Sequence, residues 1–519
     1  MSQSDHRAGG APVEPAIDVG ITTASGEGVR SGVAYLYTAR MLVAAAGWAG
    51  TVIIVRTLSP SDWGRYSFVF GLLGIIGFVV DLQIGRLVLR EVIEAGARAG
   101  HVVGSYIAFR LLIGLASFVI AVAIVVAGHY DATIVWATVV AALGFFFIAP
   151  ANGFVVWFQA RVWLRPFAIG TVAGAVVQLA LVLAVASSGQ GTVVLFALTV
   201  TAGQVTVLAW RLWALHRRQM AFRLRAEGSQ WWTWIKEALP LSIGAALFSI
   251  YYRVDIVMLE ALDSARAVGE YTIGYKFADL AIFFPEALLT PVMTLMVAAW
   301  PNDRSSLRHH VRQSLVLLTV AGVAIGAGFA LIARPLIELL YGGRYDVSTD
   351  AARLLVAGSV VQYLTYLCFV VLIAIGRNRA YAVAGLVGLA LNVCLNLILI
   401  PAFSFNGSAV ATVITEVAVA MFLVAIVRRT PDLLSVPWAA IARTGAAGLA
   451  MTAVYLGAAT ALPWPVAGGA AMATFLVALH FLRVDGPGGL RTLVRNARFE
   501  VTCGAAGRSG VQTETPSDR

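Results

Sequence analysis

Charged side chains are scarce in this sequence, at 12% of 519 residues against 59% hydrophobic. A soluble domain covers its surface with roughly a quarter charged residues, so water cannot be the solvent for most of this chain. The mean hydropathy of +0.83 points to a bilayer instead. Cysteine is also rare. Cys368, Cys394 and Cys503 show no CxxC spacing and two of them lie in apolar runs, which suggests neither a disulfide framework nor a zinc site. The seven histidines form no HExxH, and no nucleophile constellation or phosphate loop occurs, so enzymatic activity has no support and no cofactor is expected. Residues 1–30 lack the short apolar core of a cleavable signal, so the first helix is expected to be retained. The net charge of +10 would suggest nucleic acid as the partner of a soluble protein. Here its distribution among loops carries the information, and no nucleic-acid partner is expected.

What fills the chain is long apolar runs. Each crossing of a roughly 30 Å hydrocarbon core needs about 20 mostly apolar residues, so the content suffices for about fourteen transmembrane helices. The expected all-α organisation is a polar N-terminal segment (1–32), helices 1 to 6 (33–213), a basic connector (214–236), helices 7 to 12 (237–427), helices 13 and 14 (428–483) and a polar tail (484–519). The tail is too short and too polar to fold as a domain. Small residues let such helices approach closely, as Gly170 and Gly174 can in a GxxxG pair. With the N-terminus in the cytoplasm, 27 Lys and Arg fall on the cytoplasmic side. The outer loops carry only Arg56, Arg65, Arg266, Arg334, Arg344 and Arg353. That asymmetry predicts a cell-membrane protein with both termini cytoplasmic. Arg211, Arg217, Arg218, Arg223, Arg225 and Lys236 read as an orientation anchor near anionic lipid.

The chain repeats itself. LSPSDWGRYS at 58–67 corresponds to LDSARAVGEYT at 262–272, with Gly64 matching Gly269 and Tyr66 matching Tyr271. FAIGTVAGAVVQLALVLAV at 167–185 corresponds to YAVAGLVGLALNVCLNLIL at 381–399, with Arg165 opposite Arg379. Helices 1 to 6 thus pair with helices 7 to 12. Six is even, so the two lobes run parallel about an axis along the membrane normal, and such lobes commonly enclose a cavity that opens to either side in turn. Helices 13 and 14 have no repeat partner and are expected at the periphery.

Three blocks carry a resemblance to a known family. They are the stretch from Arg40 to Glu91, residues 240–293, and residues 336–412. Within them lie the loop before Gly-x-Tyr, Arg-x-Asp in helix 7, Tyr-x-x-x-Tyr-Lys opening helix 8, LLYG before helix 10, and the Asn-x-x-x-Asn helix ending LIPAFSFNGSA. The chain resembles the Wzx-type polysaccharide or oligosaccharide flippases of the multidrug/oligosaccharidyl-lipid/polysaccharide exporter superfamily. The resemblance implies two six-helix lobes around a central cavity, two added helices, and translocation of a polyprenyl-diphosphate-linked oligosaccharide. Membrane lipids, a polysaccharide polymerase and other assembly proteins are the partners it implies. It also matches Arg40 to an arginine in the family's first helix.

An ionised group in hydrocarbon costs about 2.5–3.5 kcal/mol on insertion scales, so the buried charges should face a cavity or one another. Arg110 and Asp81 are shallow, and Arg110 can snorkel. Arg40 lies about 10 Å into helix 1, and guanidinium can hold phosphate oxygens bidentately. Its alternative is a salt bridge to Asp81. Arg253, Asp255, Lys276 and Asp279 share the outer half of the helix 7–8 hairpin, either as a structural ionic network or as a phosphate path in which Asp255 and Asp279 balance Arg253 and Lys276. Glu286 follows Pro285, which frees the carbonyl of Ala281, and Glu416 lies near the middle of helix 12. Neither has a cation within a turn of its own helix, which makes both candidates for coupling to a proton or sodium gradient. Asn392 and Asn396 read as interhelical hydrogen bonders.

The expected function is flipping of a lipid-linked oligosaccharide by alternating access. A lipid II flippase carries the same diphosphate and is the nearest alternative. A cation-coupled multidrug exporter would want an acidic and aromatic cavity, and Arg40, Arg253 and Lys276 would repel its substrate. A scaffold or receptor would need an output domain, which the tail cannot supply.

Overall fold

The computed structural model describes residues 26–81, 84–220, 222–430 and 433–484. Among them the regular structure is helical. Eleven helices are long and apolar enough to cross a membrane. The first half comprises α1 (Gly26–Thr57), α2 (Pro60–Asp81), α3 (Gly85–Ala95), α4 (Ala99–Ala127), α5 (Ala132–Ala160), α6 (Leu164–Ser187) and α7 (Val193–His216). The second comprises α8 (Gly228–Tyr251), α9 (Val254–Leu262), α10 (Ala265–Ala299), α11 (Arg304–Tyr341), α12 (Ser348–Ala374) and α13 (Asn378–Arg428), followed by α14 (Trp438–Ala458) and α15 (Trp464–Phe481).

Two of these helices need interpretation. α13 has 51 residues, far longer than a bilayer crossing, and it breaks at Ser404, where φ is 55° and ψ is −141°. Its limbs fold back on each other. A Cβ at Gly407 would stand 2.1 Å from the Leu399 carbonyl, and one at Gly388 would meet Val419 at 2.9 Å. In contrast, α8 and α9 form one crossing broken at Tyr252–Arg253. With α3 lying outside the count, fourteen passes result among the described residues. The break was not expected, and α8 begins nine residues earlier than a helix from 237 would.

α3 was not anticipated either. GRLVLREVIEA is amphipathic, burying Val88 and Val92 while Arg86, Arg90 and Glu94 stay accessible. It lies on the face that carries most of the arginines, called here the arginine-rich face. The opposite, arginine-poor face carries the α1–α2 and α9–α10 turns.

The halves meet at both faces. On the arginine-poor face α2 and α10 cross backbone to backbone. A Cβ at Gly64 would meet the Ala265 carbonyl at 1.6 Å, one at Gly269 the Pro60 carbonyl at 2.1 Å, and the Thr272 and Ser67 hydroxyls lie 3.1 Å apart. Each pair of equivalent positions is separated by 205 residues, so this crossing has a local two-fold symmetry. Arg56 of α1 donates to Leu339 and Leu340 carbonyls at 2.5 and 2.8 Å, satisfying the end of α11. At the arginine-rich face, Trp234 and Ala238 of α8 are buried in a core built by α3, α4 and α5. Glu91 accepts from Trp234 Nε1 at 2.7 Å and from Gln230 Nε2 at 2.5 Å.

α14 and α15 pack on each other and against α11, through Met451, Tyr455, Phe475 and Leu479. Gly170 and Gly174 admit Trp210, Val207 and the Gly203 backbone, seating α7 on α6. Two shallow charges differ from expectation. Arg110 does not snorkel: it is buried, and its Nε donates to the Ala149 carbonyl at 3.2 Å. Arg211 is buried too, donating to the Ala151 carbonyl at 2.6 Å and stacking on Phe167, so it ties α7 to α5 and α6 rather than anchoring the surface. The Asp81 side chain, residues 1–25, the tail from 485 and Cys503 lie outside the described residues.

Candidate functional site

A cavity of about 500 Å³ lies between the two closures, walled by α2 from the first half and by α8, α9, α10, α12 and α13 from the second. Its position follows from the broken crossing. At Tyr252–Arg253 the chain leaves helical geometry, Arg253 taking φ −135° and ψ −9°. The Tyr275 hydroxyl donates to the freed Tyr252 carbonyl at 2.5 Å, which removes the cost of an unsatisfied backbone group in the membrane. Asp255 sits in the first turn of α9, where its carboxylate faces a helix N-terminus and accepts from the Ile256 amide at 2.8 Å and from the Tyr271 hydroxyl. The Arg-x-Asp pattern thus straddles the break, and Tyr-x-x-x-Tyr in α10 braces its two sides.

Arg253 and Lys276 both line the cavity. Arg253 lies along α2 where Gly74 leaves room, since a Cβ there would be 3.0 Å from its Nε and Nη1. Lys276 lies over the Trp63 ring, its Nζ 6.0 Å from the ring centre. Asp279, also in the wall, comes within ion-pairing distance of neither. Among the described residues Arg253, Asp255, Lys276 and Asp279 form no ion pair within 4 Å, while Asp279 lies near enough to Lys276 and Arg253 to feel both charges, so these groups couple through space rather than by contact. The rest of the wall mixes small, aliphatic and hydroxyl side chains with aromatic rings, Tyr381 stacking on Phe248 at 4.2 Å and lying tilted against Phe369 at 4.1 Å.

Arg40 is absent from this wall. It pairs with Glu286 at 3.4 Å, bridging α1 and α10 across 246 residues of sequence, and both side chains are substantially exposed, at 69% and 43%. The alternative of a bridge to Asp81 gives way to this pair, and Glu286 is therefore not a carboxylate without a cation. Tyr366, a cavity residue, is close enough to feel both charges. Pro285 frees the Ala281 carbonyl as expected from sequence, and the Tyr363 hydroxyl takes it at 2.7 Å.

Glu416 is buried, and among the described residues no cation pairs with it. Its Oε1 accepts from Tyr251 at 2.5 Å and from Gln362 at 2.6 Å, while Oε2 has no partner. One turn earlier, Thr412 lies 3.2 Å from the Tyr271 hydroxyl that serves Asp255. The two buried carboxylates therefore belong to one polar seam. Asn396 donates to the Asn392 carbonyl and side chain at 3.0 and 2.9 Å, a bond within α13 rather than between helices. Among the described residues no group of His, Cys, Asp and Glu could hold a metal ion.

Residues 53–350, more than half of the chain, match the family described as "Polysaccharide biosynthesis protein". The chain belongs to that family. A curated relative, the probable low-salt glycan biosynthesis flippase Agl15 of Haloferax volcanii (strain DS2), is 20% identical over 218 residues, which are 41% of this chain and 45% of the relative. The chain thus matches under half the length of that relative. Among solved structures, the lipid II flippase MurJ in its inward closed conformation superposes with TM-score 0.71 at 14% identity, covering 87% of this chain and 99% of that one. An inward-facing multidrug resistance MATE family transporter of the MOP superfamily superposes with TM-score 0.62 at 16% identity, over 77% and 98%. These likenesses establish the fold as that of the MOP-superfamily transporters.

Within this polysaccharide biosynthesis family member, sequence reasoning missed Tyr251, Tyr271, Tyr275 and Gln362 as partners of the buried polar groups. The signal was present only as hydroxyls at helical spacing, at 271 and 275, opposite a charged segment.

Proposed function

We propose that the protein is a flippase that carries a polyprenyl-diphosphate-linked oligosaccharide from the cytoplasmic to the outer leaflet by alternating access. The observation that carries this is the pair Arg253 and Lys276, two cations in a membrane cavity that form no ion pair within 4 Å among the described residues. Such cations are stabilised by an anion that brings its own charge, and a diphosphate offers oxygens to guanidinium and ammonium together. Arg40 joins the path by exchanging Glu286 for phosphate, with Asp279 balancing the cavity between cycles. Asp255 and Glu416 supply coupling to a proton or sodium gradient. The arginine-rich face is cytoplasmic, the membrane is the plasma membrane, and a polymerase with its assembly proteins receives the product. The aromatic rings in the wall suit sugar rings. A lipid II flippase is the second reading, favoured by the MurJ-like fold, and it uses the same cations.

In cells making the surface polysaccharide, Arg253→Ala is expected to lower export about tenfold or more, since one charge-assisted hydrogen bond contributes about 1.5–3 kcal/mol. Protein abundance should stay unchanged. Normal export by both Arg253→Ala and Lys276→Ala would refute the diphosphate path. Rescue of a strain depleted of its lipid II flippase would move the substrate to the second reading.

A further inference from the structure

We infer that the arginine-rich face holds a specific site for the phosphate of an anionic phospholipid, built around Trp163 and separate from the cavity. Two turns meet there: residues 161–163, between α5 and α6, and residues 217–220, after α7. They are joined by Arg161, whose Nη1 donates to Met220 Sδ at 2.7 Å. The Arg218 guanidinium lies 3.9 Å from the centre of the Trp163 ring system and that of Arg161 lies 5.3 Å from it. Two cations are therefore gathered on one indole.

The usual reason for such crowding is a shared carboxylate, and none is present. Among the described residues Arg161, Arg165, Arg217 and Arg218 form no ion pair with an acid. The Arg218 guanidinium, 3.9 Å from the indole centre, carries N–H groups of the kind that grip phosphate oxygens, and Arg161 adds those it does not give to Met220. Trp163 is also the N-cap of α6 and contributes no side-chain cap, so the first amides of a 24-residue helix add their partial positive charge beside the arginines. Both turns contain a non-glycine residue at positive φ, Val162 at 55° and Gln219 at 53°.

The setting selects a lipid. The α5–α6 turn and the end of α7 sit where transmembrane helices leave the hydrocarbon. Trp213 and Leu212, 48% and 39% exposed beside Arg217, are surfaces for acyl chain and interface rather than for water. Phosphates of one leaflet lie at this depth at high local concentration. The second half has no counterpart. By the correspondence of Arg165 with Arg379, position 163 maps to Arg377 and position 161 to Ile375, so that the aromatic platform is missing while cations remain.

That asymmetry supplies the control. Full-length protein is reconstituted in phosphatidylcholine vesicles containing about one-fifth phosphatidylglycerol, extracted gently, and the retained lipid is counted by native mass spectrometry. The wild type is expected to retain phosphatidylglycerol, and Arg161→Gln with Arg218→Gln to lower that retention about tenfold. Arg218→Gln alone, an exposed change that leaves the fold intact, should lower it by a smaller factor. Arg377→Gln with Arg379→Gln should leave it unchanged. Equal loss in the two double variants, or no loss in either Arg218 variant, would overturn the site in favour of diffuse surface charge. Displacement of the lipid by millimolar inorganic phosphate would equally overturn it, by making the ligand a free anion. The readout is independent of transport, so it stands or falls separately from the flippase reading.

Discussion

Glu416 is the residue whose chemistry the surroundings define most narrowly. Two donors, the Tyr251 hydroxyl and the Gln362 amide, converge on Oε1, and Oε2 is buried without a partner. A permanently charged carboxylate so placed would be costly, whereas one that gains a proton or a sodium ion is matched to its site. Glu416→Gln keeps the shape and removes the charge. It is expected to fold normally and to support export that no longer responds to collapse of the proton or sodium gradient. Retained gradient dependence would exclude Glu416 as the coupling group. The Arg40–Glu286 pair behaves differently. Set within the membrane-spanning helices, the pair spares Arg40 and Glu286 the cost of standing there as lone charges, and a phosphate that took the place of Glu286 would do the same for Arg40. Sequence could identify Arg40 and Glu286 as costly charges. It could not pair them, because that contact depends on how two halves close, not on spacing within a helix.

The crossing of α2 and α10 is the element on which any rocking of the halves must act. Gly64 and Gly269 allow carbonyl oxygens to come where a side chain would stand, and Ser67 and Thr272 touch one turn further along. Gly269→Val would force the helices apart, with an overpacking cost of about 1–3 kcal/mol. Introducing Ser67→Cys and Thr272→Cys gives a reporter: oxidative cross-linking should be efficient in the otherwise wild-type protein and fall sharply when Gly269→Val is added. Undiminished cross-linking would mean that this contact tolerates side chains and is no close crossing. The glycines were legible as a repeat, Gly64 with Gly269, because a turn followed by Gly-x-Tyr recurs in both halves. Their mutual contact was not. Helix number was legible from apolar runs, including the hairpin limbs of α13, which a Pro401 and Asn406–Gly407 interruption announces. The break at Tyr252–Arg253 was hidden, since no proline or glycine marks it, and tertiary hydroxyls from α10 sustain it. α3 was hidden for the opposite reason: its basic residues read as a loop, while Val88 and Val92 fold it onto the core.

For the whole molecule, the direction of the proposed transport rests on which face meets the cytoplasm. Lys and Arg are retained on the side of synthesis, and the sequence assigns 27 of them to one side against six on the other, an imbalance that holds loop by loop rather than in one cluster. Fourteen passes return the chain to the face from which it started. A thiol placed at Ser188, in the α6–α7 turn, should therefore react with a membrane-impermeant reagent in intact cells. One placed at Gln219, after α7, should react only once the membrane is opened. Cys368 is buried, whereas Cys394 is accessible, and both Cys394 and Cys503 would need replacing first so that the added thiols report alone. The reverse pattern would place the arginine-rich face outside. It would also put the Trp163 arginines in the wrong leaflet and reverse the direction in which the cavity cations meet a lipid-linked diphosphate, so one labelling experiment bears on orientation, on lipid capture and on the direction of flipping together.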